Sequence, residues 1–584
     1  MKELYYLNKY FIKYKLSFLF GILTTIAAQI FSLFTPKLVS KSFKAIEDYV
    51  KVGSVSVVKE ALIHNILLII ASTIIAGLLT FAMRQALIVT SRNIEFDLKN
   101  EIFKQYEQLT QNFYKQNRTG DLMNRISEDV AKVRMYVGPA VMYTINTFIR
   151  FAVVIGYMYN VSPKLTLYTL LPLPILSYLI FKLSTEINKR STIFQQYLSK
   201  ISSFTQEVFS GIRVIKAYSL ERQQQHNLIA LSEESKAKSL NLAKVQSFFG
   251  PIMMALIGVS NLIVIYFGGL MYIHGQLKSI GIIAEFILYV NMLTWPVASL
   301  GWVSSMVQEA AASQKRINEF LKITPDIVNN NPENSVIKGS IEFKNVAFTY
   351  DDTNIEALKD ISFTINKGET LAILGKTGSG KSTLLSLISR MYDVTDGTIL
   401  IDNASIASLN LYDLRNNIGI VPQDAFLFSD TIENNIKFGK ETATSAEVIN
   451  VAIKAAVHDN IINFSNQYHT VLGERGVTLS GGQKQRISIA RAIIKDPEIL
   501  LFDDCLSAVD TETEEKILHN LLNFCKNKTT IIVSHRVSSA KNADKIIILD
   551  EGKIVQQGSH NQLVTVDGYY KELYLKQLSE KEMI

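Results

Sequence analysis

The chain has 584 residues, enough for two or more domains; 48% of them are hydrophobic and only 19% are charged, against a typical ~25%. Residues 1–330 carry 34 Lys and Arg against 20 Asp and Glu, whereas residues 331–584 carry 26 against 33. A nucleic-acid binder concentrates positive charge on a soluble domain, so this distribution excludes a nucleic-acid partner and favours a membrane protein.

The first half of the chain contains six apolar segments long enough to cross ~30 Å of hydrocarbon. They predict an all-α bundle of six transmembrane helices that contacts membrane lipid. The segments lie at about 16–35, 61–88, 136–160, 165–185, 246–274 and 280–306.

Two long polar gaps, 89–135 and 186–245, contain no proline and have amphipathic patterning, so we expect the membrane helices to continue into the cytosol. Together with residues 1–15 these gaps hold 21 Lys and Arg, against 7 in the opposite loops. By the positive-inside rule, both termini are cytosolic and the protein is a multi-pass protein of the cell membrane.

The membrane domain is predicted to span residues 1–321, ending in a helix at about Leu321. A linker follows at 322–338, where two prolines and several asparagines disfavour helix. From Gly339 to the end, short β-rich runs alternate with helical patterns, which indicates an α/β domain over 339–584.

The strongest motif of the α/β domain is Gly375–Ser382, which matches G-x-x-x-x-G-K-[ST] between the apolar run Leu371–Leu374 and a helical pattern. Its glycines allow backbone N–H groups to surround a phosphate. Lys381 is expected to contact the β- and γ-phosphates of ATP, and Ser382 to bind Mg²⁺. A second run, Ile499–Asp503, ends in an acid that is well placed to hold Mg²⁺, because an acid on a buried strand needs a cation.

With the segment Leu479–Gln483, the chain resembles the ATP-binding cassette family, whose signature reads Leu-Ser-Gly-Gly-Gln. The resemblance implies an α/β P-loop nucleotide-binding domain whose signature closes over ATP held by a second cassette. It also implies that Tyr350 stacks on adenine and that Gln423 senses the metal and the attacking water. Asp510 would cross the dimer interface, and His535 would act near the γ-phosphate.

The resemblance completes the set of expected site residues. Those expected to bind nucleotide are Tyr350, Gly375, Lys376, Thr377, Gly378, Ser379, Gly380, Lys381, Ser382, Thr383, Ser480, Gly481, Gly482, Gln483 and Asp510. The expected magnesium ligands are Ser382, Gln423 and Asp503, and the expected catalytic residues are Asp504, His535 and Gln423.

The membrane half resembles exporters of the same family at Gly120–Val130 and Gly211–Glu221. In such exporters, short helices in these loops dock on the cassettes. We place them near Asn112–Arg118 and Tyr218–Gln224. Val471–Gly476 resembles the cassette segment that contacts the membrane domain.

Asp504 departs from the family pattern, because the family has Glu there as the general base toward water. Asp is one methylene shorter, and a misplacement of that size costs about 10²-fold in rate. We therefore expect this site to hydrolyse ATP slowly or not at all. An intact signature beside an impaired base suggests one half of a heterodimeric multidrug exporter, which Leu293–Trp302 also resembles, with a slow homodimer as the alternative.

The cargo is predicted to be a small amphipathic or hydrophobic compound. Glu285 is a hypothetical contact for cationic drugs, with structural pairing or a wet cavity as the favoured alternatives, and Arg150 lies at a similar depth. Phe286, Tyr289, Met292 and Trp295 are candidates for an apolar cavity. A peptide exporter, a lipid flippase and an ATP-gated channel or sensor remain as alternatives.

Overall fold

The computed structural model describes residues 2–52, 55–473, 476, 479–505, 517, 520, 524 and 526–582. The chain forms two compact units. The first comprises Met1–Glu107 and Thr119–Ile323, and the second comprises Gln108–Arg118 and Thr324–Ile584. The stretch 108–118 thus groups with the second unit, although the chain on both sides of it groups with the first.

The helices of residues 2–323 belong to the first unit, except α5, which lies in the second. Their bounds are α1 Asn8–Lys13, α2 Lys15–Ser32, α3 Phe34–Val52, α4 Val55–Gln108, α5 Gln111–Gln116, α6 Thr119–Asn124, α7 Val130–Met135, α8 Val141–Val161, α9 Pro163–Leu170, α10 Pro172–Ser210, α11 Ile212–Ala217, α12 Glu221–Gln246, α13 Phe249–Ile273 and α14 Gly281–Leu321.

The prediction that helices continue well beyond the apolar segments is confirmed. α4 has 54 residues and α10 has 39, so α4 alone is about 80 Å long at 1.5 Å per residue. α14 ends at Leu321, where the sequence pattern predicted its end. The short helix of the second polar gap is α11, Ile212–Ala217, so its predicted placement near Tyr218–Gln224 was wrong: Tyr218 caps α11, and Glu221 already begins α12.

Five helical segments among the described residues are long and apolar enough to cross a membrane. The predicted count of six is therefore not confirmed. The five are Lys15–Tyr49, Val55–Gln108, Thr119–Val161, Glu221–Ile273 and Gly281–Leu321.

The predicted fourth span, 165–185, is interrupted after α9 at Leu171. Pro172 follows Leu171 and has no N–H to donate, so the helical hydrogen bonding breaks there. α9 has only 8 residues, too few to cross a membrane alone. The apolar start of α10 is also short, because the charged residues Lys182 and Glu186 follow it. Leu171 itself keeps right-handed helical angles, φ −54° and ψ −41°, so the chain direction persists across the break.

Two sheets form the centre of the second unit. The first is an antiparallel sheet in the order β2-β1-β4-β5, and the second has the order β10-β9-β3-β8-β7-β6 and is parallel except for its β9–β10 edge. The strands are β1 Ile341–Tyr350, β2 Ile355–Ile365, β3 Thr370–Gly375, β4 Asp396–Ile401, β5 Ala404–Ser405, β6 Ile418–Val421, β7 Ile499–Asp503, β8 Thr529–Val533, β9 Lys545–Asp550 and β10 Lys553–Gly558.

The described helices of the second unit's longer segment surround these sheets. They are α15 Lys381–Ile388, α16 Leu411–Asn416, α17 Ile432–Lys437, α18 Ser445–Lys454, α19 His458–Ile462, α20 Gly481–Ile493, α21 Val537–Ala540, α22 His560–Thr565 and α23 Tyr569–Glu582. The α/β class predicted for this part of the chain is confirmed.

The central strand β3 is buried along its whole length. Leu371 and Ile373 pack into the core shared with the antiparallel sheet and α15, whereas Ala372 and Leu374 pack on the opposite face against the C-terminal helices. Successive side chains of a strand point to opposite faces, so one apolar run serves both cores. This burial on both faces fixes the carboxyl end of β3, from which the phosphate loop starts.

Candidate functional site

The phosphate loop connects β3 to α15, so the predicted strand–loop–helix context is present. Gly380 has φ +100°, and a Cβ atom there would lie 2.5 Å from the carbonyl oxygen of Ala357. Gly378 has φ +84° and has nothing within 4 Å of the corresponding position. Gly380 therefore allows a close approach of two backbone segments. Gly378 leaves open space in which a phosphate fits.

Lys381 begins α15 and is 6% exposed. Its Nζ donates to the carbonyl oxygens of Gly375 and Lys376, at 2.8 Å each. Burial lowers the pKa of Lys381, although the charges of Asp504 and Asp503 oppose that shift. A phosphate oxygen would give this buried ammonium the anionic partner that the two carbonyl groups only partly replace.

Asp503 ends β7 beside Ser382, whose hydroxyl donates to Asp503 Oδ1 at 3.1 Å. Burial raises the pKa of Asp503, and Asp504 raises it further against the opposing hydrogen bond from Ser382. A cation at this position would stabilise the ionised form of Asp503 against both its burial and the neighbouring charge of Asp504. Ser382 and Asp503 therefore fit Mg²⁺. When bound, Mg²⁺ would neutralise charge on the phosphates.

Asp504 follows directly, with φ +43° and its backbone N–H donating to Val533 O at 2.9 Å. Gln423 is exposed just after β6, and its backbone carbonyl accepts from Gln485 Nε2. His535 follows β8, and its carbonyl accepts from Gln577 Nε2 at 3.0 Å. Because β6, β7 and β8 are parallel neighbours, their carboxyl ends bring these side chains to one edge of the sheet.

A cavity of about 640 Å³ lies at that edge. The predicted site residues that line it are Tyr350, Thr377, Gly378, Gly380, Lys381, Ser382, Thr383, Gln423, Asp503, Asp504 and His535. Gly375, Lys376 and Ser379 belong to the same loop but do not line it. The Ser379 hydroxyl is buried and has no hydrogen-bond partner among the described residues.

Tyr350 ends β1 at the side of this cavity. Its hydroxyl lies 2.9 Å from Thr383 Oγ1, and its ring meets those of Phe348 and Tyr392 edge-on, at 4.8 and 5.6 Å between centroids. The Nζ of Lys115 lies 4.2 Å from the centroid of the same ring. The aromatic ring is thus held in place at the rim of the cavity.

The signature residues Ser480–Gln483 are not among the residues that line the cavity. Ser480 caps α20 in a reciprocal capping box: its hydroxyl accepts from Gln483 N at 3.3 Å, and Gln483 Oε1 accepts from Ser480 N at 3.0 Å. Ser480 and Gly481 are exposed, with Gly482 and Gln483 partly exposed. Asp510, and Glu474 and Arg475 within Val471–Gly476, lie outside the described residues.

Sequence reasoning missed several residues that line the cavity. Gly552 lies in the turn between β9 and β10, which an Asp-Glu-Gly sequence signals, but nothing in that signal relates the turn to nucleotide. Lys115 lies in the docking helix predicted near Asn112–Arg118, but nothing in the sequence relates it to the nucleotide cavity. The full set of missed residues is Lys115, Thr353, Ile355, Glu356, Ala357, Lys359, Val533, Glu551 and Gly552.

Two family comparisons match this architecture. Residues 16–297 match the ABC transporter transmembrane region, and residues 358–507 match the ABC transporter domain. The multidrug resistance-like ATP-binding protein MdlA of Escherichia coli (strain K12) is 37% identical over 508 residues, which are 87% of this chain and 86% of that protein. MdlA of Buchnera aphidicola subsp. Baizongia pistaciae is 35% identical over 585 residues, 99% of each chain.

A solved structure of a bacterial Atm1-family ABC exporter with ATP bound has the same fold. The TM-score is 0.79 at 25% identity, and the match covers 96% of this chain and 99% of that one. The membrane helices, the α/β domain and these matches agree on one assignment. The chain belongs to the ABC transporter family, in which it is an exporter that joins a membrane-spanning domain to an ATP-hydrolysing domain.

Proposed function

We propose that this chain is one half of a dimeric multidrug exporter. The observation that carries the proposal is the separation of the exposed signature, Ser480–Gln483, from the cavity that holds the phosphate loop. A signature that does not line its own nucleotide cavity is available to a nucleotide held by another cassette. Its N–H groups begin α20, where the helix dipole favours an anion such as the γ-phosphate.

At the cavity, Tyr350 stacks on adenine, and Lys381 and the loop backbone bind the phosphates. Ser382, Asp503 and Gln423 hold Mg²⁺, and His535 orients the γ-phosphate. The support for these roles is that all six side chains line one cavity and that the buried Lys381 lies between backbone carbonyl groups. Asp510 is assigned to the dimer interface by its sequence motif alone.

We assign to Asp504 the role of a poor general base. Its backbone is anchored to Val533, so the short side chain gains no reach from a movement of the main chain. Its own site therefore hydrolyses ATP slowly, and a partner with a longer acid supplies the fast site. This arrangement favours a heterodimer, with a slow homodimer as the second possibility.

The membrane domain of this proposal spans 1–321 and crosses the membrane six times, with both termini in the cytosol. The sixth crossing is the pair α9 and α10, because Leu171 keeps a helical conformation between them. Residues 163–185 along that direction extend about 34 Å, enough to span hydrocarbon. The linker 322–338 leads to the cassette at 339–584.

The cargo of the proposed exporter is a small amphipathic or hydrophobic compound, as the names of the MdlA relatives suggest. A peptide or lipid exporter uses the same machinery, and an ATP-gated channel is the candidate from another class. Accumulation of cargo against a gradient in reconstituted vesicles separates an exporter from a channel, because a channel only dissipates a gradient.

The test of the dimer proposal compares Asp504→Asn with Lys381→Ala in the assembled transporter. If a partner supplies the fast site, Asp504→Asn keeps most transport, whereas Lys381→Ala loses nucleotide from this site. Equal and complete loss of transport in both variants contradicts the lent-signature proposal. Purification of the tagged chain together with a second, different half-transporter distinguishes the heterodimer from the homodimer.

A further inference from the structure

Arg150 lies in the middle of the predicted membrane span on α8, and Gln29 of α2 orients it. Arg150 Nε donates to Gln29 Oε1 at 2.9 Å, and Gln29 Nε2 donates to Asn146 Oδ1 at 2.9 Å. Gln29 is only 5% exposed. A buried amide that holds both Asn146 and Arg150, one helical turn apart, fixes the direction of the guanidinium group.

The guanidinium has further donors, and no carboxylate of the described chain forms an ion pair with Arg150. Arginine does not lose its proton in proteins, so a charge at this depth needs an anion or water. Glu285, the acid at similar depth, is 4% exposed and accepts from Tyr289 Oη at 2.7 Å. The hypothesis that Glu285 contacts cationic drugs is therefore not favoured, whereas Arg150 is partly exposed.

An apolar cavity of about 350 Å³ lies between α8 and the junction of α2 with α3. Arg150 does not line it but lies on α8 one helical turn before Val153, which does. On α8, Val153, Tyr157 and Asn160 follow Arg150 at intervals of three and four residues, so all four share one helix face. We call this cavity with its polar end the Arg150 groove. Its residues are Gln29, Ile30, Leu33, Phe34 and Lys37 on one side and Asn146, Arg150, Val153, Tyr157 and Asn160 on the other.

A second cation, Lys37, lies at the other end of the Arg150 groove. Its Nζ is 5.6 Å from the ring centroid of Tyr157, and the side chain is exposed. Among the residues that the structure describes, none that lines the cavity is acidic. The groove therefore combines apolar walls with positive charge at both ends, an environment that attracts an anion and repels a cation.

We propose that the Arg150 groove binds an anionic amphiphile, with its carboxylate, sulfonate or phosphate on Arg150 and its apolar body in the cavity. This inference rests on the proposed export function and specifies its substrate class. A volume of about 350 Å³ suits a small organic anion, since pockets for small molecules occupy roughly 300–1,000 Å³. Lys37 favours cargo that carries a second negative group.

Two xanthene dyes provide a matched test, because fluorescein is anionic and rhodamine 123 is cationic on the same ring system. Binding of each dye to the assembled transporter containing the full chain is measured by fluorescence anisotropy. ATP-dependent uptake of each dye is measured in inside-out vesicles. The variants are Arg150→Gln, Arg150→Lys and Lys37→Gln, with Arg84→Gln as the control that removes an exposed cation from α4.

Arg150→Gln is expected to weaken fluorescein binding about tenfold or more, the effect of one charge-assisted hydrogen bond, while rhodamine 123 binding stays unchanged or improves. Arg150→Lys keeps the charge and recovers part of the affinity. Lys37→Gln lowers the affinity for fluorescein about two- to fivefold, the effect expected for an exposed charge pair. Arg84→Gln leaves both dyes unaffected.

Unchanged fluorescein affinity in Arg150→Gln, or equal losses for both dyes, overturns the inference. Loss of dimer assembly in Arg150→Gln also overturns it, because Arg150 would then pair with an acid of the partner. If dye binding depends on Arg150 but no ATP-driven uptake occurs, the export function is contradicted, whereas the inference that the Arg150 groove binds anions is supported. The source of the anion is distinguished by a third arm: translocation of labelled phosphatidylglycerol but not phosphatidylcholine identifies a lipid, and its absence identifies a soluble compound.

Discussion

The ammonium of Lys115 lies 4.2 Å from the centroid of the Tyr350 ring and pairs with Asp352 at 2.9 Å. Lys115 is on α5, the short helix that groups with the cassette although the flanking helices belong to the membrane unit. The side chain proposed to stack on adenine is therefore in direct contact with a residue of α5, which follows α4 in the chain. Any movement of the Tyr350 ring on nucleotide binding changes this contact.

We predict that Lys115→Met lowers transport per ATP hydrolysed while nucleotide affinity changes less than about fivefold, the range of one exposed cation–π contact. The variant removes the ion pair with Asp352 and the ring contact that hold α5 on the cassette. The measurement is ATP hydrolysis and dye uptake in the same vesicles. Lys104→Met, at an exposed lysine of α4, is the control and keeps the wild-type ratio.

Asp504→Glu is expected to raise the ATPase rate of this chain's own site, by up to about 10²-fold if the short side chain alone limits it. The added methylene carries the carboxylate toward the nucleotide from the same backbone position, which Val533 anchors. Phosphate release is measured with the partner's fast site inactivated. A rate that stays at the Asp504→Asn level would show that more than side-chain length limits this site.

Gly380→Ala is expected to abolish nucleotide binding at this site without unfolding the membrane unit. Its Cβ would meet the carbonyl oxygen of Ala357 at 2.5 Å, and φ +100° is unfavourable for alanine, so the loop must shift. Binding of a fluorescent ATP analogue reports the loss. Gly120→Ala, at a helical glycine with nothing within 4 Å, is the control and binds as the wild type does.

Asp402 is expected to make the stability of the cassette depend on pH. Its carboxylate accepts from the backbone N–H groups of Lys338, Gly339 and Ser340, at 2.6, 3.2 and 3.0 Å. Burial alone would raise the pKa of Asp402, but these hydrogen bonds outweigh it and lower the pKa. The stabilisation is therefore present above the unfolded pKa, near 4, and is lost as the pH falls through the lower folded value.

Asp402→Asn should reduce stability at pH 7 by about 1 kcal/mol, a value kept low because the carboxylate is partly exposed. The difference from the wild type should shrink below pH 4. Thermal unfolding of the full chain in detergent, followed between pH 3 and 7, measures both effects. Glu441→Gln, at an exposed glutamate, is the control, and a pH-independent difference would contradict the assignment.

Local sequence determined the elements of this protein. Hydrophobic length predicted the membrane helices, and the glycine spacing of Gly375–Ser382 predicted the turn between β3 and α15, because hydropathy and backbone freedom depend on consecutive residues. The same locality explains why the single helix predicted over 165–185 is divided at Leu171: average hydropathy does not register that Pro172 removes a helical hydrogen bond.

Only the tertiary structure decided which elements meet. Gln423, Asp503 and His535 follow three strands that are far apart in the chain, and the order β6-β7-β8 places them at one cavity. The contact of Lys115 with Tyr350 could not be predicted from the spacing of residues in the sequence, and neither could the contact of Gln29 with Arg150. Such contacts depend on the packing of whole helices and strands, whose free energy is distributed over many distant residues.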